Sequence, residues 1–260
     1  MKKKPKTVRQ PSIKRVVHVS REYGGLAGAG GIKDVVEGLA KASAALGIDT
    51  HVFLPLYRVI EENPELKLKE SWSFSVPMHY RTERRFEHVT ILSAKLQRQL
   101  HAHLVRTDRY RWLYDEVGGI ERRGIYQYTE QEARALGRPG LKGQGYSDFF
   151  AMNVLLVKAT LGALGRMSDK PDVIHCHDGH AALLPVLAQA SHEGFDPFLG
   201  FIPSVITIHN AGIGYHQEVA DIEFAASICG LPREVVHGCL FDGKFDPLYA
   251  GGLFCSRLNT

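Results

Sequence analysis

Ile13-Lys-Arg-Val-Val-His-Val-Ser20, followed by the glycine-rich loop Gly24-Gly-Leu-Ala-Gly-Ala-Gly-Gly31, sets the architecture of this chain. The first segment has the pattern of a buried strand. Residues 34–46 then carry apolar side chains at helical spacing, and Gly47 supplies a helix stop. Asp49-Thr-His-Val-Phe-Leu54 is a second predicted strand. A strand, a helix and a second strand in this order predict a parallel sheet with a right-handed crossover.

The rest of the chain continues the alternation of strands and helices. Strands are predicted at 72–76, 89–92, 101–105, 172–175 and 204–209, and helices at 148–166 and 179–190. Ser147 is the expected cap of the helix at 148–166. Residues 106–145 carry many charges and seven glycines, so we expect a long, mobile surface insertion there. The predicted fold class is α/β, a Rossmann-like doubly wound parallel sheet forming one domain over residues 13–260.

Length, composition and charge exclude several classes of protein. The chain has 260 residues, of which 44% are hydrophobic and 23% charged, as in globular rather than disordered proteins. Asn153 and Lys158 interrupt the longest apolar segment, so no membrane span is expected. The first fifteen residues hold seven basic and no acidic side chains, and we interpret residues 1–12 as a flexible tail rather than a nucleic-acid-binding arm or a secretory signal. These features predict a cytoplasmic protein with reduced cysteines.

Polar side chains gather where the predicted parallel strands end. In open α/β sheets, ligands bind at the carboxyl ends of the strands. The residues in question are Asp34, His175, His177, Asp178, His180, His209 and Asn210. A purely structural sheet needs no such collection, so this edge is the predicted ligand site.

The glycine-rich loop matches neither of two common phosphate-binding motifs. Lys33 stands where a dinucleotide fingerprint beginning at Gly28 would have its third glycine, and no Gly-Lys-Ser/Thr closes the loop as in a P-loop. Glycines between a strand and a helix still allow the backbone to approach a phosphate or a sugar closely. A tight turn without a ligand is the alternative.

The segment His175-Cys-His-Asp-Gly-His180 has three interpretations. Imidazoles and a carboxylate at short spacing can share a metal ion. The strand period, however, places His175 and His177 on one face and the thiol of Cys176 on the other. Contacts to a sugar or phosphate without metal, and a purely structural histidine cluster, are the other two interpretations. Thr207-Ile-His-Asn210 adds side chains that suit hydroxyl-rich ligands.

Taken in order, these segments resemble the N-terminal half of bacterial glycogen synthases and plant starch synthases. The matching segments are Ser20-Arg-Glu22, Gly30-Gly-Ile-Lys-Asp-Val-Val36, Val52-Phe-Leu-Pro-Leu-Tyr57, Leu113-Tyr-Asp115, Tyr146-Ser-Asp148, Pro171-Asp-Val-Ile-His-Cys-His-Asp-Gly-His180, Thr207-Ile-His-Asn210 and Leu248-Tyr-Ala-Gly-Gly-Leu-Phe-Cys-Ser-Arg-Leu-Asn-Thr260. The resemblance covers residues 13–260, and the ordered set is far more specific than any single motif.

The resemblance implies the N-terminal half of a GT-B architecture, in which two Rossmann-like domains face each other across a cleft. The implied activity is that of a retaining glucosyltransferase, which extends an α-1,4-glucan acceptor from a nucleotide-glucose donor, ADP-glucose in preference to UDP-glucose. The resemblance places the C-terminal domain, which binds most of the nucleotide sugar in this family, outside these residues, so we expect the chain to be inactive alone. No cofactor or metal is expected.

The resemblance also implies roles for individual residues. Asp178 and His209 match the family residues that line the transferred glucose and are the predicted catalytic pair. The predicted substrate-binding residues are Gly30, Gly31, Asp34, Tyr126, His177, His180 and Asn210. The sequence departs from the family pattern at two positions: Gly28 stands where the family has a lysine that contacts the donor phosphate, and Gly179 where it commonly has tryptophan.

Two other functions remain open from the sequence. One is a stand-alone glucan-binding module without turnover. The other is a metal-dependent hydrolase that uses the cluster from His175 to His180.

Overall fold

The computed structural model describes residues 13–114, 120–122, 124–212 and 215–260, without the side chains of 112–114 and 120–122. The strands in these ranges are β1 (Arg15–Val19), β2 (Asp49–Pro55), β3 (Lys69–Pro77), β4 (Phe86–Gln97), β5 (Leu100–Arg106), β6 (Trp112–Tyr114), β7 (Ile120–Arg122), β8 (Val173–His177), β9 (Ser204–Thr207), β10 (Leu240–Phe241), β11 (Lys244–Phe245) and β12 (Arg257–Asn259). The α-helices are α1 (Ile32–Ala45), α2 (Arg58–Glu61), α3 (Asp108–Arg111), α4 (Glu130–Ala135), α5 (Phe149–Arg166), α6 (Leu183–Ala190), α7 (Ile222–Cys229), α8 (Arg233–Gly238) and α9 (Pro247–Phe254). The tail predicted over residues 1–12 lies outside the described residues.

Eight strands form one sheet in the order β12-β9-β8-β1-β2-β5-β4-β3. The six strands from β12 to β5 pair in parallel, which confirms the predicted α/β class. The strands β4 and β3 are antiparallel, so the sheet is mixed rather than wholly parallel. The reason is the connection between β4 and β5, which has only two residues, whereas a parallel pair needs a crossover of a dozen or more.

The order in which strands are added to the sheet reverses at β1. From β1 the chain adds β2 and β5 on one side, and later adds β8, β9 and β12 on the other. Ligands of open α/β sheets bind at such a reversal, outside the carboxyl ends of the strands. The ends of β1, β8 and β9 are therefore where a site is expected.

Helix α1 confirms the first predicted helix to within two residues. It begins at Ile32, carries Asp34 in its first turn and buries Val36, Ala40 and Ala44. An acidic side chain in the first turn is favoured by the partial positive charge of the helix N-terminus. Gly47, at φ +83°, lets the chain turn away after the helix.

Helix α5 is the core helix of the fold. It is long and apolar enough to cross a membrane, but 78% of its apolar window is buried inside the protein. Asn153 and Lys158, which interrupt its apolar run, both have partners: Asn153 donates to Gln217 Oε1 at 2.7 Å, and Lys158 donates to Glu193 Oε1 at 2.5 Å. The helix cap is Asp148, without a side-chain hydrogen bond, so the predicted Ser147 cap is wrong.

The described part of the predicted insertion packs on the core. Tyr110 is fully buried and donates to the Met152 carbonyl at 2.5 Å. Helix α4 begins with a capping box, in which Thr129 and Glu132 bond to each other's backbone N–H groups. The capping box and the burial of Tyr110 stabilise this part of the segment, although it is rich in charged residues and glycine. Residues 115–119 and 123 of the insertion lie outside the described residues.

Candidate active site

The predicted polar edge forms where β8 and β9 end side by side. His177 is the last residue of β8 and pairs in register with Thr207, the last residue of β9. Asp178 directly follows β8, and His209 lies two residues beyond β9, so both emerge at this edge of the sheet. Parallel pairing brings the two strand ends together.

Asp178 has the most constrained position at this edge. Its backbone is left-handed, at φ +56°, and its side chain is buried. Oδ1 accepts hydrogen bonds from the backbone N–H groups of His209 at 2.7 Å and Asn210 at 3.4 Å. Oδ2 is buried and has no hydrogen-bond partner in the described part of the chain. Burial raises the pKa of Asp178.

A buried carboxylate oxygen without a partner is costly unless a ligand, a water or a proton reaches it. One oxygen of Asp178 thus fixes the turn that carries His209, and the other is left for a ligand. A hydroxyl group can donate to that oxygen.

His209 is half-buried and belongs to a row of three imidazoles, which we term the edge histidines (His18, His177 and His209). His18 Nδ1 lies 3.1 Å from His177 Nε2, and His177 Nδ1 lies 3.0 Å from His209 Nε2. His177 is fully buried with both ring nitrogens engaged in this row, so it has none left for a substrate. The structure therefore corrects the expected substrate contact of His177.

His180 is also buried at this edge. The residue is 2% exposed, and Nε2 has no hydrogen-bond partner among the described residues. Burial, with a smaller effect of the nearby charge of Arg21, holds the pKa of His180 well below its usual value. His180 thus resembles Asp178 in its burial and its unpartnered polar atom, and its contact with substrate stays a prediction.

Asn210 and the loop beyond it form the rim of the edge. Asn210 is exposed and accepts a hydrogen bond from the Gly212 backbone N–H at 3.1 Å. A Cβ on Gly179 would lie 2.5 Å from the Tyr215 carbonyl oxygen and 2.8 Å from that of His216. The loop at 215–217 thus closes over position 179, which only glycine can occupy without moving it.

The glycine-rich loop is held by a residue that the sequence did not single out. Glu22 is buried, and its Oε2 accepts from the backbone N–H groups of Ala29 and Gly30, both at 3.2 Å. Tyr126 donates its hydroxyl to Glu22 Oε1 at 2.5 Å. Glu22 therefore ties the loop to the insertion. The sequence signals for Glu22 are its place just after the end of β1 and its position in the family segment Ser20-Arg-Glu22.

Gly30 and Gly31 have open space beside them. A Cβ on either glycine would meet no atom within 4 Å, and neither residue has a positive φ. Neither crowding nor backbone conformation therefore requires glycine at these positions. Close approach of a ligand to the backbone is one physical reason for glycine here, and Gly31 is also the N-cap of α1, a position that glycine favours.

Asp34 lies on the exposed side of the loop. Its carboxylate is 66% exposed and lies 2.7 Å from Lys33 Nζ. The stem of Lys33 passes over Gly28, because a Cβ on that glycine would lie 2.4 Å from Lys33 Cδ. The ammonium group of Lys33 is thus carried across the loop to its open side.

Arg21 and Tyr126 line a cavity of about 370 Å³ beside this loop. The Arg21 guanidinium lies over the Tyr126 ring, 4.1 Å from its centroid. Gln127, Phe149 and Gln217 line the same cavity. An aromatic ring, a cation and amide groups together suit a hydroxyl-rich ligand.

The histidines that come together are not those of the predicted metal cluster. The candidate ligand atoms of His18, His175 and His177 lie within 4.8 Å of one another, whereas Asp178 and His180 are not part of this group. His18 and His177 direct ring nitrogens at each other at hydrogen-bond distance. His175 Nε2 is likewise engaged, at 2.7 Å from Thr207 Oγ1, so a metal ion bound to this group would replace existing hydrogen bonds.

Comparison with known proteins identifies the family. The family model described as the starch synthase catalytic domain matches residues 15–260. The chain belongs to this family. Glycogen synthase from Thermotoga maritima is 28% identical over 255 residues, which are 95% of this chain and 45% of that protein. Glycogen synthase from Alkaliphilus metalliredigens is 29% identical over 241 residues, 92% of this chain and 40% of that protein.

A solved structure shares the fold. The catalytic domain of starch synthase IV from Arabidopsis thaliana, bound to ADP and acarbose, superposes with a TM-score of 0.68 at 20% identity. The alignment covers 95% of this chain and 44% of that one. The chain therefore spans about half the length of the curated starch synthase family relatives it matches.

The two departures from the starch synthase family pattern now have physical reasons. Gly179 leaves no room for a tryptophan ring, because the carbonyl groups of the 215–217 loop lie against it. At Gly28, the aliphatic stem of Lys33 occupies the space that a side chain would fill. This chain has no cation at position 28, and Lys33 carries one five residues later.

Proposed function

We propose that this chain is the N-terminal domain of a retaining glucosyltransferase that extends an α-1,4-glucan from a nucleotide-glucose donor. The observation that carries the proposal is the unpartnered Oδ2 of Asp178 beside His209, at the reversal point of a starch synthase family domain. The relatives named above are glycogen synthases, and the starch synthase IV structure holds ADP and acarbose.

In this proposal Asp178 and His209 act on the transferred glucose. Asp178 Oδ2 accepts a hydrogen bond from a glucose hydroxyl, and its negative charge stabilises positive charge developing at the anomeric carbon. His209 hydrogen-bonds a second hydroxyl from the half-buried position next to it. Oδ1 of Asp178 fixes the backbone of His209, so neither group has to reorganise during the reaction.

The glycine-rich loop would hold the donor. The open backbone of Gly30 and Gly31 can approach a phosphate, and Lys33 supplies a cation beside them, with Asp34 holding its ammonium group. We propose ADP-glucose rather than UDP-glucose as the donor, from the family resemblance.

The cavity lined by Arg21 and Tyr126 would take part of the glucan acceptor. We expect no cofactor or metal, and a cytoplasmic location.

The proposal assigns most of the nucleotide contacts to a C-terminal domain. The chain alone should therefore transfer no glucose. Incubation with ADP-glucose or UDP-glucose and a glucan primer tests this, and incorporation of glucose above a blank without protein would contradict it.

Ligand binding tests the site itself. ADP-glucose added to the ¹⁵N-labelled chain should shift the amide signals of Gly30, Gly31 and His209, and maltohexaose should shift that of Tyr126. Asp178→Asn should weaken the change that ADP-glucose produces at His209. Asp242→Asn is the matched control, because Asp242 also has a positive φ but lies on the β10–β11 turn.

A stand-alone glucan-binding module is the second candidate, and the Arg21–Tyr126 cavity is the observation that favours it. In that case maltohexaose should shift Tyr126, while ADP-glucose should leave Gly30 and Gly31 unchanged. The proposed glucosyltransferase domain requires both responses.

A further inference from the structure

The edge histidines form a straight row across three adjacent strands. His18 lies on β1, His177 at the end of β8, and His209 two residues beyond β9. The ring centroids of His18 and His177 are 5.4 Å apart, whereas their facing nitrogens are 3.1 Å apart. The corresponding distances for His177 and His209 are 5.2 and 3.0 Å. The rings therefore meet edge to edge, nitrogen to nitrogen.

The two inner rings of the row are neutral. Burial, with a smaller effect of His175, lowers the pKa of His18 to about 3. Burial also holds the pKa of His177 well below its usual value. A neutral imidazole carries one N–H and one bare nitrogen, so each ring must donate on one side and accept on the other.

Only two proton arrangements satisfy both hydrogen bonds when all three rings are neutral. In the first, each ring is protonated on Nδ1: His18 donates to His177, His177 donates to His209, and His209 has an N–H at Nδ1. In the second, each ring is protonated on Nε2 and the direction is reversed. His209 then has a bare Nδ1.

The inner end of the row decides between these arrangements. Nε2 of His18 is buried and has no hydrogen-bond partner in the described part of the chain. The second arrangement would leave a buried N–H at this atom, whereas the first leaves only a bare nitrogen. Buried N–H groups without an acceptor are rarer in proteins than under-used acceptors. The first arrangement is therefore favoured.

We propose that His177, backed by His18, is a positioning residue that holds the His209 ring with its proton on Nδ1, ready to donate to a ligand oxygen. This inference rests on the proposed function only for the identity of that ligand, a sugar hydroxyl. The row fixes the tautomer of His209 and does not conduct protons, because no described residue lies within hydrogen-bond distance of its inner end, His18 Nε2.

His175 provides a matched control. It lies on the same face of the sheet, and its ring centroid is 4.3 Å from that of His177 and 5.1 Å from that of His18. Its Nε2, however, bonds to Thr207 Oγ1 at 2.7 Å and not to another ring. His175→Phe thus alters the same packing without removing a member of the row.

The tautomer of His209 can be read by NMR on the chain with ¹⁵N-labelled histidine rings at about pH 8, where ordinary imidazole is neutral. The His209 signals are assigned by their loss in His209→Gln. We expect Nδ1 of His209 to be protonated, Nε2 to be bare, and a scalar coupling across the hydrogen bond between His177 Nδ1 and His209 Nε2. A His209 ring protonated on Nε2, or no such coupling, would overturn the proposal even if no variant folds.

The variants then test the role of His177. In His177→Phe, the ratio of the Nδ1–H to the Nε2–H form of His209 should fall about tenfold, which corresponds to ~1.4 kcal/mol. His175→Phe should leave that ratio unchanged. An unchanged ratio in His177→Phe, or an equal change in both variants, would overturn the proposal. The readout is a proton position and not glucose transfer, so failure of the proposed function would leave this result intact.

Discussion

Each face of the sheet carries a row of hydrogen-bonded histidines, and the two rows differ in how they end. Strand alternation places His18 and His177 on one face, and His51 and His103 on the other. The edge histidines run from a buried, unpartnered nitrogen of His18 to the half-buried ring of His209. The second row ends beside a carboxylate, although the outer nitrogen of His51 has no hydrogen-bond partner among the described residues.

The members of this second row, which we term the lateral row, are Asp49, His51, His103, Ser93 and Ser71. His51 Nε2 lies 3.2 Å from Asp49 Oδ2, and His51 Nδ1 lies 2.8 Å from His103 Nε2. His103 Nδ1 then lies 2.7 Å from Ser93 Oγ, which lies 2.6 Å from Ser71 Oγ. A carboxylate ends the row on one side and an exposed hydroxyl on the other.

The difference teaches that burial and pairing of a histidine do not indicate its role. His18 and His103 have the same lowered pKa of about 3, with burial as the main cause. What separates the rows is whether the last ring leaves a nitrogen for a ligand. We expect the edge histidines to affect binding and turnover, and the lateral row to affect stability.

The largest effect is expected at His209, and its absence would contradict the comparison between the two rows. In the full-length enzyme, His209→Ala should lower kcat by about 10²–10³-fold, or roughly 2.7–4 kcal/mol, by analogy with the loss of a transition-state hydrogen-bond donor. Its unfolding midpoint in denaturant should change little. A large fall in the midpoint with near-normal kcat would show that His209 is a structural histidine.

The reverse result is expected at His103. His103→Ala leaves the nitrogen of His51 and the hydroxyl of Ser93 without their shared partner, which should lower the free energy of unfolding by about 1–3 kcal/mol. Its kcat should match that of the parent enzyme. Denaturant unfolding and steady-state kinetics on this variant and on His209→Ala test whether the two rows have different roles. A lower kcat in His103→Ala would contradict that difference.

Acid should affect both rows alike. The folded pKa of about 3 for His18 and His103 lies below the unfolded value of 6.5, so the unfolded chain binds more protons between these pH values. Stability is therefore lost as the pH falls below about 6.5. His18→Phe and His103→Phe should each reduce the slope of unfolding free energy against pH by about 1.4 kcal/mol per unit between about pH 4 and 6. A reduced slope in only one variant would mean that the two buried histidines titrate differently.

The smallest effect is expected at the exposed end of the lateral row. Ser71 is exposed, so water can replace its hydroxyl in the bond to Ser93. Ser71→Ala should change the free energy of unfolding by less than about 0.5 kcal/mol. Chemical denaturation measures this, with Ser93→Ala as the comparison, for which about 1 kcal/mol is expected. Equal losses at both positions would show that the row depends on its outer hydroxyl.

The elements of the fold were largely readable from local patterns. The strand at Asp49–Leu54 and the helix over 148–166 have strong periodic signals, and both are present within one residue at each end. The predicted strand over 204–209 ends earlier, at Thr207, because the N–H groups of His209 and Asn210 bond to Asp178 and not to a neighbouring strand. The antiparallel edge was missed because strand spacing does not specify direction, and the short turn between β4 and β5 decides it.

The sequence by itself determined the α/β order, the edge of the sheet where polar residues gather and, through its ordered motifs, the starch synthase family. Those features depend on local periodicity and on residue types at fixed spacing. Only the tertiary structure decided which of these polar residues are buried and which have hydrogen-bond partners. It buried His177 and His180, left one oxygen of Asp178 without a partner, and brought in Glu22 and His18 from β1 and the loop after it. Exposure and hydrogen-bond partners depend on contacts between residues more than a hundred positions apart, as between His18 and His177, and spacing along the chain does not encode them.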